Sequence, residues 1–331
     1  MPAPHLHLTF GSMVKDQPGV PEDLKRACAA EPVYTRLGSI FHDLPYYGNM
    51  LVEAIRYGLA SQALDEPWAY RMHSVRPGHF VASFIRAART LAAPLERDER
   101  LALVGGLISH AALDLTMHPL VNYCARRDAA LLGGHESWHH RQTEIHHALY
   151  FHQLELGYDP IATGELRRLT RVVKHGSLVR ARVEAPLVEL MRDAYRGAYG
   201  GAPDGRAWAR WVRNFQQFGR VVSNPMATRK SALALRDPSL RDRYFDNDRF
   251  RFLEFYACAE RRLAGLATLA YGYFDAGDFS AAAEAAFVKT ARIDDLAEPE
   301  PQPEDALPSL PRLPPVRRYR LTPPATTRAQ A

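Results

Sequence analysis

The stretch Leu101–Pro119, LALVGGLISHAALDLTMHP, sets His110, Asp114 and His118 at steps of four. On a helix each step turns about 400° and rises about 6 Å, so the three groups line one stripe of an otherwise apolar surface. Such a surface is buried, and a buried carboxylate is costly unless it is paired or coordinates a metal. Neutral imidazole is the commonest metal ligand. The outer two histidines stand about 12 Å apart, too far to share one ion, so the stripe suits two neighbouring metal centres better than one. A pair of hydrogen-bonded core histidines with an Asp cap is the plainer reading of each residue taken singly; three in register favour metal. Pro119 disfavours helical geometry at His118 and predicts that this ligand lies at a helix end.

Other candidates flank that stripe. His7 sits in HLHLTFG, where His5 and His7 alternate with apolar residues as in a surface strand or an arm. Asp43 follows His42 in a turn-rich connection, Leu37 to Gly48. His73 stands in YRMHSVRPGHF, and GHESWHHRQTEIHHALYFH offers His140 and Glu144 at the i, i+4 spacing that presents an imidazole and a carboxylate to one ion. His135, His139, His146, His147 and His152 read as supporting or solvated groups, since a His-rich tract alone is a weak signal. Of the 14 histidines only His175 lies beyond residue 152, so histidine chemistry belongs to the first half.

The elements that must position these groups are helical. Pro21, Glu22 and Asp23 look like a helix start; Met50 to Ser61, Phe80 to Ala92, Glu165 to Arg182, Val183 to Tyr199, Arg206 to Val222, Asn247 to Phe274 and Asp278 to Phe287 carry helical spacing. The expected fold class is all-α. The expected organisation is one helical unit over residues 1–296, with the metal site in 5–150 and a helical extension over 160–296. A Pro-rich tail over 297–331, beginning acidic and ending basic, is expected to be disordered.

With 331 residues, 47% hydrophobic and 24% charged, the chain has ordinary globular composition. The longest apolar run is interrupted by His110 and Asp114, so no transmembrane segment is expected, and nothing at the N-terminus reads as a leader. A cytoplasmic protein with three free thiols, Cys28, Cys124 and Cys258, is the resulting expectation. The net charge of +5 rests almost wholly on arginine, which a compositional bias explains as well as phosphate recognition does. There is no Gly-rich phosphate loop, nucleophile elbow or internal repeat.

Taken in order, His7, Asp43, His73, His110, Asp114, His118, His140 and Glu144 resemble the zinc-dependent phospholipase C family, whose bacterial members open with His-x-x-Phe-Gly as His7–Gly11 does. Gly38 and Asp43, the isolated His73, the block GLISHAALDLTMHP and the His-x-x-x-Glu of His140 and Glu144 carry the likeness, over roughly residues 5 to 150. It implies a helical domain with two or three zinc ions. Asp43, His73, His110 and Asp114 would hold one ion, and His118, His140 and Glu144 a second. Asp114 would bridge to a third held also by His7. The implied activity is hydrolysis of a phosphodiester, with zinc-bound water attacking phosphorus and Asp43 as general base. A phospholipid head group or another phosphodiester is the implied substrate. A single-strand nuclease of the same superfamily and a non-catalytic zinc-stabilised helical protein are the alternatives; oligomeric state is unknown. His42 departs from the family, which has proline before that Asp.

Overall fold

The computed structural model describes residues 4–48, 67–91, 95–161, 163–174, 184–222, 229, 232–247, 249–300 and 307–311. Within them the chain is all-α apart from one two-stranded hairpin, in which Asp246–Asn247 pairs antiparallel with Phe250–Arg251. The helical expectation for Met50 to Ser61 lies outside the described residues.

The central helix, Arg97–Leu132, is the axis of the molecule. A reciprocal capping box between Glu96 and Glu99 starts it, and Gly133, at φ 72°, ends it where a side chain would be strained. Helices Pro4–Ser12, Glu22–Ala30, Pro32–Ser39, Glu136–Glu155 and Phe252–Ala276 all pack on it. By length and composition this helix is apolar enough to cross a membrane, but its apolar window is wholly buried by the protein's own elements. It is a core helix.

Three local expectations are corrected. The segment holding His5 and His7 is not a strand or arm but the helix Pro4–Ser12, buried from Pro4 to Gly11. A helix covered on every side needs no amphipathic face, so its apolar alternation carried no conformational information. The central helix does not stop near His118; it runs through Pro119 for another thirteen residues. Proline removes one helical N–H and crowds the carbonyl four residues back, but almost every neighbour from Leu113 to Ala125 is buried, and that packing outweighs the local cost. Within the described residues the arginine-rich stretch from Glu165 is helical to Leu169, and Val172 and Val173 follow as buried, non-helical residues, in keeping with the poor helix propensity of β-branched side chains; the rest of the expected helix, 175–182, lies outside the described residues.

Of the remaining helices, the one expected from Asn247 starts at Phe252, because Asn247 and Phe250–Arg251 belong to the hairpin, whereas Pro77–Thr90, Ala185–Tyr199, Gly205–Val222 and Ala281–Ala291 start close to their expected places. The last is capped by Ser280, whose hydroxyl accepts from the Ala283 N–H. One apolar cluster extends from Leu6 to Leu296, so helices beyond residue 160 share a core with those before it. The expected disorder begins at residue 297, but Ala297 and Glu298 are held by Asn122, Asp295 and Arg126, and Leu307 and Leu310 pack against that core; residues 301–306 and 312–331 lie outside the described residues.

Candidate metal centre

Two glycines let a second helix reach the histidine stripe. Helix Pro32–Ser39 crosses the central helix at Gly38 and Gly106, so closely that a Cβ on Gly106 would collide with the Thr35 carbonyl and one on Gly38 with the Leu103 carbonyl. That contact delivers the Ser39 carbonyl to His110 and starts the tight 3-10 segment Phe41–Tyr47 that carries Asp43.

All eight sequence-predicted residues converge, contributed by five elements: His7 from the N-terminal helix, Asp43 from the 3-10 segment, His73 from helix Pro67–Ser74, His110, Asp114 and His118 from the central helix, and His140 and Glu144 from helix Glu136–Glu155. Their donor atoms form three groups, each within 4.8 Å: His7 with His110 and Asp114; Asp43 with His73 and His110, sharing His110 with the first; and, separate from both, His118 with His140 and Glu144. Asp114 joins the groups. Its Oδ2 lies 2.9 Å from His110 Nε2 and 3.7 Å from His73 Nε2, while its Oδ1 lies 3.3 Å from His7 Nε2 and 3.6 Å from His118 Nε2. His73 Nε2 is 3.3 Å from Asp43 Oδ1, and Glu144 Oε1 is 3.4 Å from His140 Nε2 and 3.7 Å from His118 Nε2.

The rings are aimed from behind. His73 Nδ1 donates to the Ala69 carbonyl at 2.8 Å, His110 Nδ1 to the Ser39 carbonyl at 2.8 Å, His118 Nδ1 to the Leu296 carbonyl, and His140 Nδ1 to the Asn122 side-chain oxygen at 3.0 Å. With the proton on Nδ1 in each case, Nε2 is the lone-pair nitrogen, and all four Nε2 atoms face the carboxylates.

Electrostatics fit a cation. Burial would raise Asp114, yet the neighbouring His110, His118 and His7 hold it well below the ordinary carboxylate range. Glu144 is likewise held low against the effect of burial, by His140 and His118. Burial would lower His110, but attraction to Asp114 and Asp43 raises it to about 9; His118, against the same effect of burial, is raised by Asp114 and Glu144 to about 10. His7 goes the other way, to about 4, because burial and the nearby His110 outweigh the carboxylates. Negative charge gathered in a dry site binds protons only when no metal competes for the same lone pairs.

Unsatisfied buried atoms test whether a metal belongs here. Asp43 Oδ2 and Glu144 Oε2 have no hydrogen-bond partner among the described residues, and the 2.9 Å approach of His110 Nε2 to Asp114 Oδ2 lacks hydrogen-bond alignment. Orphaned carboxylate oxygens are expensive in a core and ordinary in a metal site. The donor set of imidazole nitrogen and carboxylate oxygen suits zinc. The residues fit the ion.

Several neighbours had no clear sequence signal. His42 is wholly buried, stacks on His110 with ring centroids 4.7 Å apart, and has neither ring nitrogen partnered among the described residues. His147, expected to be supporting or solvated, is buried against Phe252 and lines a small recess with Leu6, His7, Met117, His118 and Glu144. His152 is buried too, paired with Thr9 at 2.8 Å. Asn122 has a faint signal, four residues after His118 on the same helix face; the carbonyls of Ser39, Ala69 and Leu296 have none.

Fold and site together define an all-helical protein with a histidine–carboxylate centre suited to zinc. Residues 6–201 match the family described as zinc dependent phospholipase C, and the chain belongs to that family. The match runs past residue 150, where the likeness of the motifs stops, to residue 201. No curated protein and no solved structure matches the chain.

Proposed function

We propose that the chain is a zinc-dependent hydrolase of phosphodiester bonds of the phospholipase C type, with His7, Asp43, His73, His110, Asp114, His118, His140 and Glu144 as its metal ligands. The observation that carries this reading is the convergence of eight imidazole and carboxylate groups on three neighbouring donor clusters, with Asp114 beside a histidine of each. Zinc bound there would supply a Lewis acid for a phosphoryl oxygen and lower the pKa of water. The protein's own groups do the rest. Carbonyls behind His73, His110 and His118, with Asn122 behind His140, fix the rings before substrate arrives. Asp43 keeps Oδ1 toward His73, and its second oxygen, Oδ2, is available to accept a proton from the attacking water. Asp114 and Glu144 set the charge that selects cations. The recess beside His118, Glu144 and His147 marks the less buried end of the cluster, from which a substrate phosphate would approach.

The continuous core supports one helical unit over residues 1–296, with 297–331 as its tail. A phospholipid head group or another small phosphodiester is the substrate class. The test is a chromogenic phosphodiester and a phosphocholine ester, each assayed with and without chelation and zinc restoration, beside single-stranded DNA. Metal-dependent release from the esters supports the reading. Release from DNA alone reassigns the protein as a nuclease, and fully zinc-loaded protein with no turnover on any of the three leaves zinc a structural role.

A further inference from the structure

The strand of chain that reaches the site from farthest away is Ile293–Glu298, nearly one hundred residues beyond the end of the family match at residue 201. Its backbone is bound on both sides of the centre. The Leu296 N–H donates to the His73 carbonyl at 2.7 Å, and the Leu296 carbonyl takes the Nδ1 proton of His118. One wholly buried residue therefore joins helix Pro67–Ser74 to the central helix, through a histidine of each. The next carbonyl, Ala297, accepts from the Asn122 side-chain amide at 2.8 Å, and the other end of that amide accepts from His140 Nδ1 at 3.0 Å. Asp295 holds the segment in shape: its Oδ1 accepts from the Ala297 and Glu298 N–H groups at 2.8 and 3.0 Å and from the Ser74 hydroxyl at 3.3 Å. The Ile293 carbonyl accepts from the Gly78 N–H at 2.9 Å and anchors the near end.

The ring nitrogens of the inner histidines are held elsewhere, since His73 and His110 donate to Ala69 and Ser39 and the segment meets His73 at that residue's backbone carbonyl. The outer pair, His118 and His140, is oriented by it directly and through Asn122. We propose that Ile293–Glu298 is a positioning strap for the metal centre, which presets His118 and His140 for the ion they share with Glu144 and makes that ion's site depend on chain outside the family match. Leu296, Asn122 and Asp295 are its positioning residues. The inference rests on the ligand assignment proposed above.

The test uses full-length protein stripped of metal by chelation, then titrated with zinc against a competing chelator and with cobalt(II) followed by its visible absorption. Glu144→Gln identifies the outer ion as the one it loses. Asn122→Ala and Asp295→Ala are expected to weaken that ion by roughly 10–100-fold, the usual cost of removing a group that orients a metal ligand, and to change the cobalt spectrum of the outer site. The inner ion should hold near its parental affinity, which with unchanged far-ultraviolet circular dichroism reports that the fold is intact. Asp295→Asn, which keeps the accepting oxygen, should restore the outer site. Unchanged affinity and spectrum in both alanine variants overturn the strap while leaving the ligand assignment standing. Equal loss of both ions overturns its selectivity for the outer site. A parent protein that takes up no ion overturns the ligand assignment itself, and the strap's role with it.

Discussion

The inner and outer halves of the centre are built differently. Asp43, His73 and His110 are all buried, with His110 wholly inaccessible, and their rings are fixed by carbonyls on elements that pack early in the chain. His118, His140 and Glu144 lie at a partly open end, with the His140 side chain 25% exposed, beside the recess and held by residues near 296. A closed set of ligands suits an ion that stays; an open position suits one that exchanges water and meets substrate. The difference teaches that the inner half takes its geometry from the core and the outer half from the partly open end and the chain near residue 296.

Asp114 is where the two halves are coupled, so changing it has the largest expected effect. Helix spacing sets Asp114 about 6 Å along the axis from both His110 and His118; because His118 already has His140 and Glu144 as partners, the sequence assigns Asp114 to His110, and Asp114→Asn would then spare the ion at His118. The structure puts this carboxylate within 3.7 Å of four histidine nitrogens, so the expectation becomes loss of the inner ion and weakening of the outer one. In metal-free protein the same change leaves buried histidines without their counter-charge, and losing one partner of a buried pair costs about 3–5 kcal/mol. Zinc stoichiometry and urea unfolding measure the two effects separately. An outer ion bound as tightly as before would show that the halves are independent after all.

Chelation comes next in size. Ligands that bind only the folded state add to its stability, so stripping zinc should lower the thermal midpoint and restoring it should reverse the fall. Because the inner ligands lie in the core, most of that shift should survive in Glu144→Gln, which is expected to lose only the outer ion. A Glu144→Gln protein that melts like the fully stripped parent would make the outer ion the structural one and invert the comparison.

What could be read from the sequence follows the same division. Helical periodicity and steps of four are local properties, so the central stripe, the pairing of His140 with Glu144, and most helices beyond residue 160 were legible. Asp43 and His73 needed the family likeness, because each stands alone in its segment. The helix at Pro4–Ser12 was misread since full burial erases an amphipathic pattern, and the passage of the central helix through Pro119 since tertiary packing overrides propensity. Leu296 could not be found at all. What matters there is a carbonyl oxygen, which every residue has, placed by a fold that returns 178 positions later to the His118 ring.

The smallest expected effect separates a ligand from a neighbour. His42 touches the inner half by stacking on His110 and lies edge-on to His73 at 5.7 Å, yet it belongs to none of the three donor clusters. Burial first, then the proximity of His110 and His73, holds its imidazole well below the ordinary range, so it is neutral, and neither nitrogen has a hydrogen-bond partner among the described residues. Leaving a buried polar group unpaired costs about 1–3 kcal/mol. His42→Phe removes that cost and keeps a flat ring against His110, but adds volume to a packed core, which costs about 1–3 kcal/mol in turn. The two nearly cancel, so the urea midpoint should stay close to the parent's and zinc content should not change. Loss of an inner ion in His42→Phe would make His42 a ligand, reached by a rotation of its ring away from His110, and would place a third imidazole beside Asp43, with His73 and His110.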